Sequence, residues 1–136
     1  MSVAYAVWIT RKAVRANPDT IYLFGDNEQR TGLGGQAKYC RGEPNAVGIA
    51  TKRRPSSNDD AFWSDDDFAR CAAILDADFA PVIEHARRGG KVVCARDGIG
   101  TGLSDLPRRA PRLMDYIRAK LREVQAASPT HQTGES

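Results

Sequence analysis

The sequence predicts an α/β sandwich built on a mixed or parallel sheet. Short apolar runs of strand length alternate along the chain with segments of helical periodicity. Two of these runs end in glycine-rich polar loops that lead toward helices, "GDNEQRTGLGGQA" and "RDGIGTGLSD". The 136 residues show no internal repeat and no linker, which is the size of one domain with one full core.

In chain order, "VAYAVWI" (3–9) reads as a buried strand. "TRKAVRANPD" is a short polar connection with room for one helical turn before Pro18 stops it. "IYLF" (21–24) is a second strand, and "GGQAKYCRG" carries a short helix closed by Gly42. "NAVGIAT" (45–51) reads as a third strand. In "SDDDFARCAAIL", Ser64 and Asp67 form a capping-box-like pair at a helix start. Phe68, Cys71, Ala72, Leu75, Phe79, Val82 and Ile83 then recur at helical spacing. Pro81 either kinks that helix or opens a second one capped by Asp78. Gly89-Gly90 ends it, and "KVVCA" (91–95) is the next strand. From Pro111, the residues Leu113, Met114, Ile117, Leu121 and Val124 make one face of a final helix. Residues 1–126 are expected to form a single domain and 127–136, "ASPTHQTGES", a disordered polar tail.

The totals narrow the function classes. Hydrophobic residues at 41% and charged residues at 27% fit a soluble globular protein. The net charge of +3 favours an anionic ligand, but it is too mild to argue for nucleic acid on its own. No apolar run reaches membrane-span length, and "MSVAYAVWITRK" is unlike a signal peptide, so a cytoplasmic protein without membrane partners is expected. The three cysteines, Cys40, Cys71 and Cys94, are odd in number and widely spaced, which argues against disulfides or zinc and for buried thiols. Two histidines, one of them His131 in the tail, leave little for a His-based triad or metal site. Neither a metal nor a cofactor is expected.

Ligands of open α/β sheets bind beyond the carboxyl ends of the strands. Both glycine-rich loops follow strands, so they should lie at one edge and face each other across one cleft. Glycine lets backbone N–H groups approach an anion, and helix N-termini add a favourable field for phosphate. Two such loops suit a ligand with two phosphates and flanking sugars, although tight strand-to-helix turns would use the same glycines. Asp26, just past a strand, could accept from an exocyclic amine or a ribose hydroxyl, or it could close an Asx-turn.

The order strand–"GDN"–"GLGG"–strand–"GIATK"–helix–strand–"GIGTGLSDLP"–helix resembles a macro domain. That resemblance implies a compact three-layer sandwich with a mixed, mostly parallel sheet. It also implies binding of ADP-ribose, or of ADP-ribosylated protein or nucleic acid. Gly25, Asp26 and Asn27 match the adenine-contacting segment. Gly32, Gly34, Gly35 and Gln36 match the loop at the distal ribose. Ile99, Gly100, Thr101 and Gly102, followed by Leu103 and Ser104, match the loop that wraps the diphosphate. The similar branch removes ADP-ribose from glutamate or thymidine with a lysine, matched here by Lys52, and with an aspartate directly after Gly-Leu. Ser104 takes that last position, and Asp105, one residue later, is the candidate to assist proton transfer beside a catalytic Lys52. The segment between "GDN" and "GIATK" is also shorter than in a typical macro domain.

Lys52 as a nucleophile needs a lowered pKa, which burial or the neighbouring Arg53 and Arg54 would supply. Those two arginines could instead receive phosphates. Phe62 or Trp63 could stack on a base or pack in the core. Two rival functions remain: a binding module without chemistry, and a nucleic-acid-binding protein using Arg108, Arg109, Arg112, Arg118 and Arg122.

Overall fold

The computed structural model describes residues 3–96 and 98–129. Its elements in order are β1 (Val3–Ala6), α1 (Arg11–Ala16), β2 (Ile21–Asp26), α2 (Ala37–Cys40), β3 (Ala46–Ala50), α3 (Phe68–Arg87), β4 (Val92–Ala95), α4 (Leu106–Arg109) and α5 (Pro111–Ala127). Two 3-10 turns, Asp59–Ala61 and Asp65–Asp67, precede α3. Residues 130–136, including His131 and most of the expected tail, lie outside the described residues, as does Asp97. α5 itself runs to Ala127, and Ser128 beyond it is buried.

The strands form one sheet in the order β1-β4-β2-β3. Every pairing is parallel, so of the mixed or parallel sheet that the sequence predicts, the described strands form the wholly parallel form, without the antiparallel part that the resemblance implied. The reason lies in the connections. Each of β1, β2 and β3 is followed by a helical crossover that returns the chain to the same end of the sheet. Helices then cover both faces, which is where an all-parallel sheet is stable.

Side-chain alternation builds the layers. Leu23 on β2 and Val92 and Cys94 on β4 join a core with α3, α4 and α5. Tyr22, Phe24 and Val93, one residue out of phase, face Val14 of α1 and Ala37 and Cys40 of α2. The period of two along a strand sorts these residues to opposite faces, giving helix, sheet and helix layers. Cys40, Cys71 and Cys94 are all buried and free. Burial pushes the first two thiols up to about 11 and Cys94 up to about 12, so they pack as apolar groups rather than react.

Three elements differ from the sequence expectation. The first strand ends at Ala6 instead of residue 9; Tyr5 is exposed on this edge strand, and Val7 and Trp8 are exposed beyond its end. α3 passes through Pro81 without dividing, and Asp78 caps nothing. The Asp78 carboxylate instead accepts from the Ala50 N–H of β3 at 2.8 Å and from Arg30 at 2.7 Å. Ser64 caps the 3-10 turn by accepting from the Asp66 N–H, while Asp67 pairs with Arg53 and Arg70. No described helix is long and apolar enough to cross a membrane.

Candidate functional site

The carboxyl ends of all four strands open into one cavity of about 690 Å³, within the usual range for small-ligand sites. Its walls come from the loops after β2 and β4, which are neighbours in the sheet. The helix after β2 packs on one face and the helices after β4 on the other. The chain therefore parts between these two strands, and this divergence creates the crevice. The loops meet at its mouth: a Cβ on Gly34 would sit 3.1 Å from Leu103 Cδ1. Gly100 makes the second loop possible. Its φ is +87°, and a Cβ there would come within 2.6 Å of Leu106 Cδ1.

Around the first loop, Gly25, Asp26, Asn27, Gly32, Gly34, Gly35 and Gln36 all line the cavity. The Asp26 carboxylate is already engaged. Arg41 Nη2 donates to Oδ1 at 2.6 Å, Nη1 to Oδ2 at 3.2 Å, and the Asn27 N–H to Oδ1 at 2.8 Å. Arg41 also donates to the carbonyls of Thr31 (3.1 Å) and Gly32 (2.9 Å), so one guanidinium ties the loop to the strand. The Asx-turn considered for Asp26 belongs to Asn27, whose Oδ1 accepts from the Gln29 N–H at 3.0 Å. Gln36 is a clamp. Its Oε1 accepts from the Ile9 N–H at 2.7 Å, and its Nε2 donates to the Ile9 carbonyl at 2.8 Å.

Gly100, Thr101, Gly102, Leu103 and Ser104 of the second loop line the cavity, whereas Ile99 is buried in the core at 2% exposure. Ser104 is buried against Thr51 and shares a hydrogen bond with its hydroxyl. Thr51 donates its own proton to the Asp26 carbonyl at 2.9 Å, so Ser104 donates to Thr51 and keeps its lone pairs as acceptors. Asp105 does not line the cavity. It takes left-handed backbone, φ +50°, and its carboxylate pairs with Arg108 at 2.6 Å.

Lys52 lies on the opposite wall, 8% exposed. Its Nζ donates to the Ser56 carbonyl at 2.6 Å and lies 4.2 Å from the centroid of Phe62. Burial first, and the positive charge of Arg109 second, hold its pKa below the ordinary lysine value. Arg53 and Arg54 are occupied elsewhere, by Asp67 and Asp60, so the charge effect expected of them comes instead from Arg109, distant in sequence. Among the described residues, no carboxylate pairs with Lys52. α2 and α4 are each 4 residues long, too short for a strong N-terminal field. The groups that face the cavity are therefore loop backbone and Lys52, not the helix ends that the sequence pointed to.

A model of a family of unknown function, DUF7831, matches residues 4–120, most of the chain. The chain belongs to this family. No curated protein and no solved structure matches it. Membership therefore brings no substrate with it, and the chemistry has to be read from the side chains in the cavity.

Several lining residues escaped the sequence reading. Trp8 was assigned to the buried strand 3–9, yet it lies past the strand end and on the cavity. Arg41 carried no local signal, since its partner Asp26 is distant in sequence. Of the two aromatics at 62–63, Phe62 lines the cavity and Trp63 is core, its Nε1 donating to Glu28 at 2.8 Å. The polar loop "RRPSS" was visible, but nothing in it marked Pro55, Ser56 and Ser57 as lining residues.

Proposed function

We propose that the cavity binds ADP-ribose or a related adenine nucleotide, in the manner of the macro domains the sequence resembles. The observation that carries this is Lys52: a buried, cavity-facing ammonium without a carboxylate partner among the described residues. A cation withdrawn from water calls for an anion in the adjoining space. Two glycine-rich loops converge on that space and offer backbone amides to a diphosphate. Gly102 supplies the test. A Cβ there meets nothing within 4 Å, so Gly102→Glu should fold and aim a carboxylate at the bound phosphates. Calorimetry should show ADP-ribose binding to the wild type and a loss of at least roughly tenfold in the variant, about 1.4 kcal/mol. Equal affinities would remove the second loop from the site; no binding to the wild type would end the proposal.

A hydrolytic reading is favoured by the lowered pKa of Lys52. The neutral amine would attack the anomeric carbon of the distal ribose. The bond to the modified side chain would break, its electron pair leaving with the carboxylate or nucleobase. After the nitrogen loses a proton, water would release ADP-ribose from Lys52. Asp105, paired with Arg108 outside the cavity lining, has no part in this version. Lys52→Ala should then abolish release of ADP-ribose from modified glutamate or thymidine. Wild-type protein that binds ADP-ribose but releases none from either substrate is a binding module.

A further inference from the structure

Resting on that reading, we propose that Trp8 is the platform on which the ligand's nucleobase stacks, with the base at the β1 end of the cavity and the diphosphate and distal sugar toward Lys52. The four strand ends set the direction. Trp8 follows β1, the glycine-rich loops follow β4 and β2, and Lys52 follows β3, in the spatial order of the sheet. Three inter-strand steps separate the two ends by about 14 Å. A base, ribose, diphosphate and second ribose span such a slot; a lone nucleoside does not.

Chemistry along the slot changes in the same direction. At the β1 end stand Val7 and Trp8, 68% and 51% exposed. The middle is lined by glycine backbone, and the far end holds the Lys52 ammonium. Among the described residues, Trp8 and Phe62 border the cavity, and they differ in what already occupies them. Phe62 already carries Lys52 at 4.2 Å and the Arg109 guanidinium at 3.6 Å from its centroid. Trp8 makes an edge contact with Tyr39, centroids 5.7 Å apart and planes at 79°, and keeps half its surface open. With Val7, Leu33 and Leu103, all exposed and lining the cavity, Trp8 forms an apolar patch at its mouth, and such a patch marks a binding surface where a lone exposed side chain would not.

Trp8 is also held in place. The Gln36 side chain grips both backbone groups of Ile9, the next residue, so the ring is presented before any ligand arrives. Asp26 is a weaker candidate for reading the base, because its carboxylate already serves Arg41 and the Asn27 N–H.

The test compares Trp8→Ala and Trp8→Phe with the wild type, using ADP-ribose and the baseless ribose 5-phosphate as probes, by calorimetry and tryptophan emission. Trp8 is exposed and contributes nothing to the core, so both variants should fold. Trp8→Ala should weaken ADP-ribose roughly 5- to 150-fold, the range for losing one base–aromatic stack, and leave ribose 5-phosphate unchanged. Trp8→Phe should keep most of the affinity. ADP-ribose should quench wild-type emission through Trp8, since Trp63 is buried away from the cavity, and the quench should vanish in Trp8→Phe. Equal ADP-ribose affinity in the wild type and Trp8→Ala overturns the platform while leaving ADP-ribose binding intact. Failure of ADP-ribose to bind the wild type overturns both.

Discussion

The proposed function gives Lys52 two incompatible duties. As an ammonium it can hold a phosphate; as a free amine it can attack a sugar. Both causes acting on it, burial and the Arg109 charge, disfavour the ammonium, so its folded pKa lies below that of an exposed lysine. It therefore loses its proton earlier as pH rises. If the ammonium contacts the diphosphate, ADP-ribose affinity should fall as pH climbs through this lowered pKa. If the amine is the nucleophile, turnover should rise across the same interval. Arg109→Gln removes the second cause and should move either profile to higher pH. Calorimetry and single-turnover release across pH, on the wild type and Arg109→Gln, check this. Coincident profiles for the two proteins would show that Arg109 does not govern Lys52.

At the scale of elements, β3 is shaped by the residue it packs under. A Cβ on Gly48 would lie 2.3 Å from Asp26 Oδ2 and 3.0 Å from Asp26 Cβ. The glycine opens the space in which the buried carboxylate meets Arg41. Gly48→Ala should push Asp26 off that guanidinium and cost about 1–3 kcal/mol, as overpacking in a filled site does. Urea unfolding measures it. A cost within experimental error would mean that Asp26 swings aside freely and that its grip on the loop is not needed. α3 continues through Pro81 because Phe79 before it and Val82 and Ala86 after it are buried in the core, while Asp78 also ties the helix to the Ala50 N–H of β3.

Across the whole molecule, the basic side chains are mostly spent on neighbours. Arg108 pairs with Asp105, Arg109 with Asp59, and Arg118 with Asp115, while Arg112 lies over the Phe68 ring. A net charge of +3 laid out in local pairs does not make a continuous stripe for phosphates. Duplex DNA and RNA should accordingly show no saturable binding at physiological salt in fluorescence anisotropy. Tight binding with a steep salt slope would restore the nucleic-acid reading.

The alternation of strands and helices is local information, because periods of 2 and 3.6 are written in residues adjacent along the chain. "IYLF", "NAVGIAT" and "KVVCA" are strands, and the faces of α3 and α5 were legible one residue at a time. Both glycine-rich loops, with Asp26 and Lys52, were legible too, since strand ends and glycine runs are local signals. The remainder follows from contacts between segments distant along the chain. The tertiary structure brought Arg41 to Asp26 and Arg109 to Lys52, turned Trp8 out of its expected strand, and took Asp105 and Ile99 away from the cavity. Each of these depends on which strands become neighbours. The order β1-β4-β2-β3 is fixed by how two helical layers cover one sheet, and no local spacing in the chain records it.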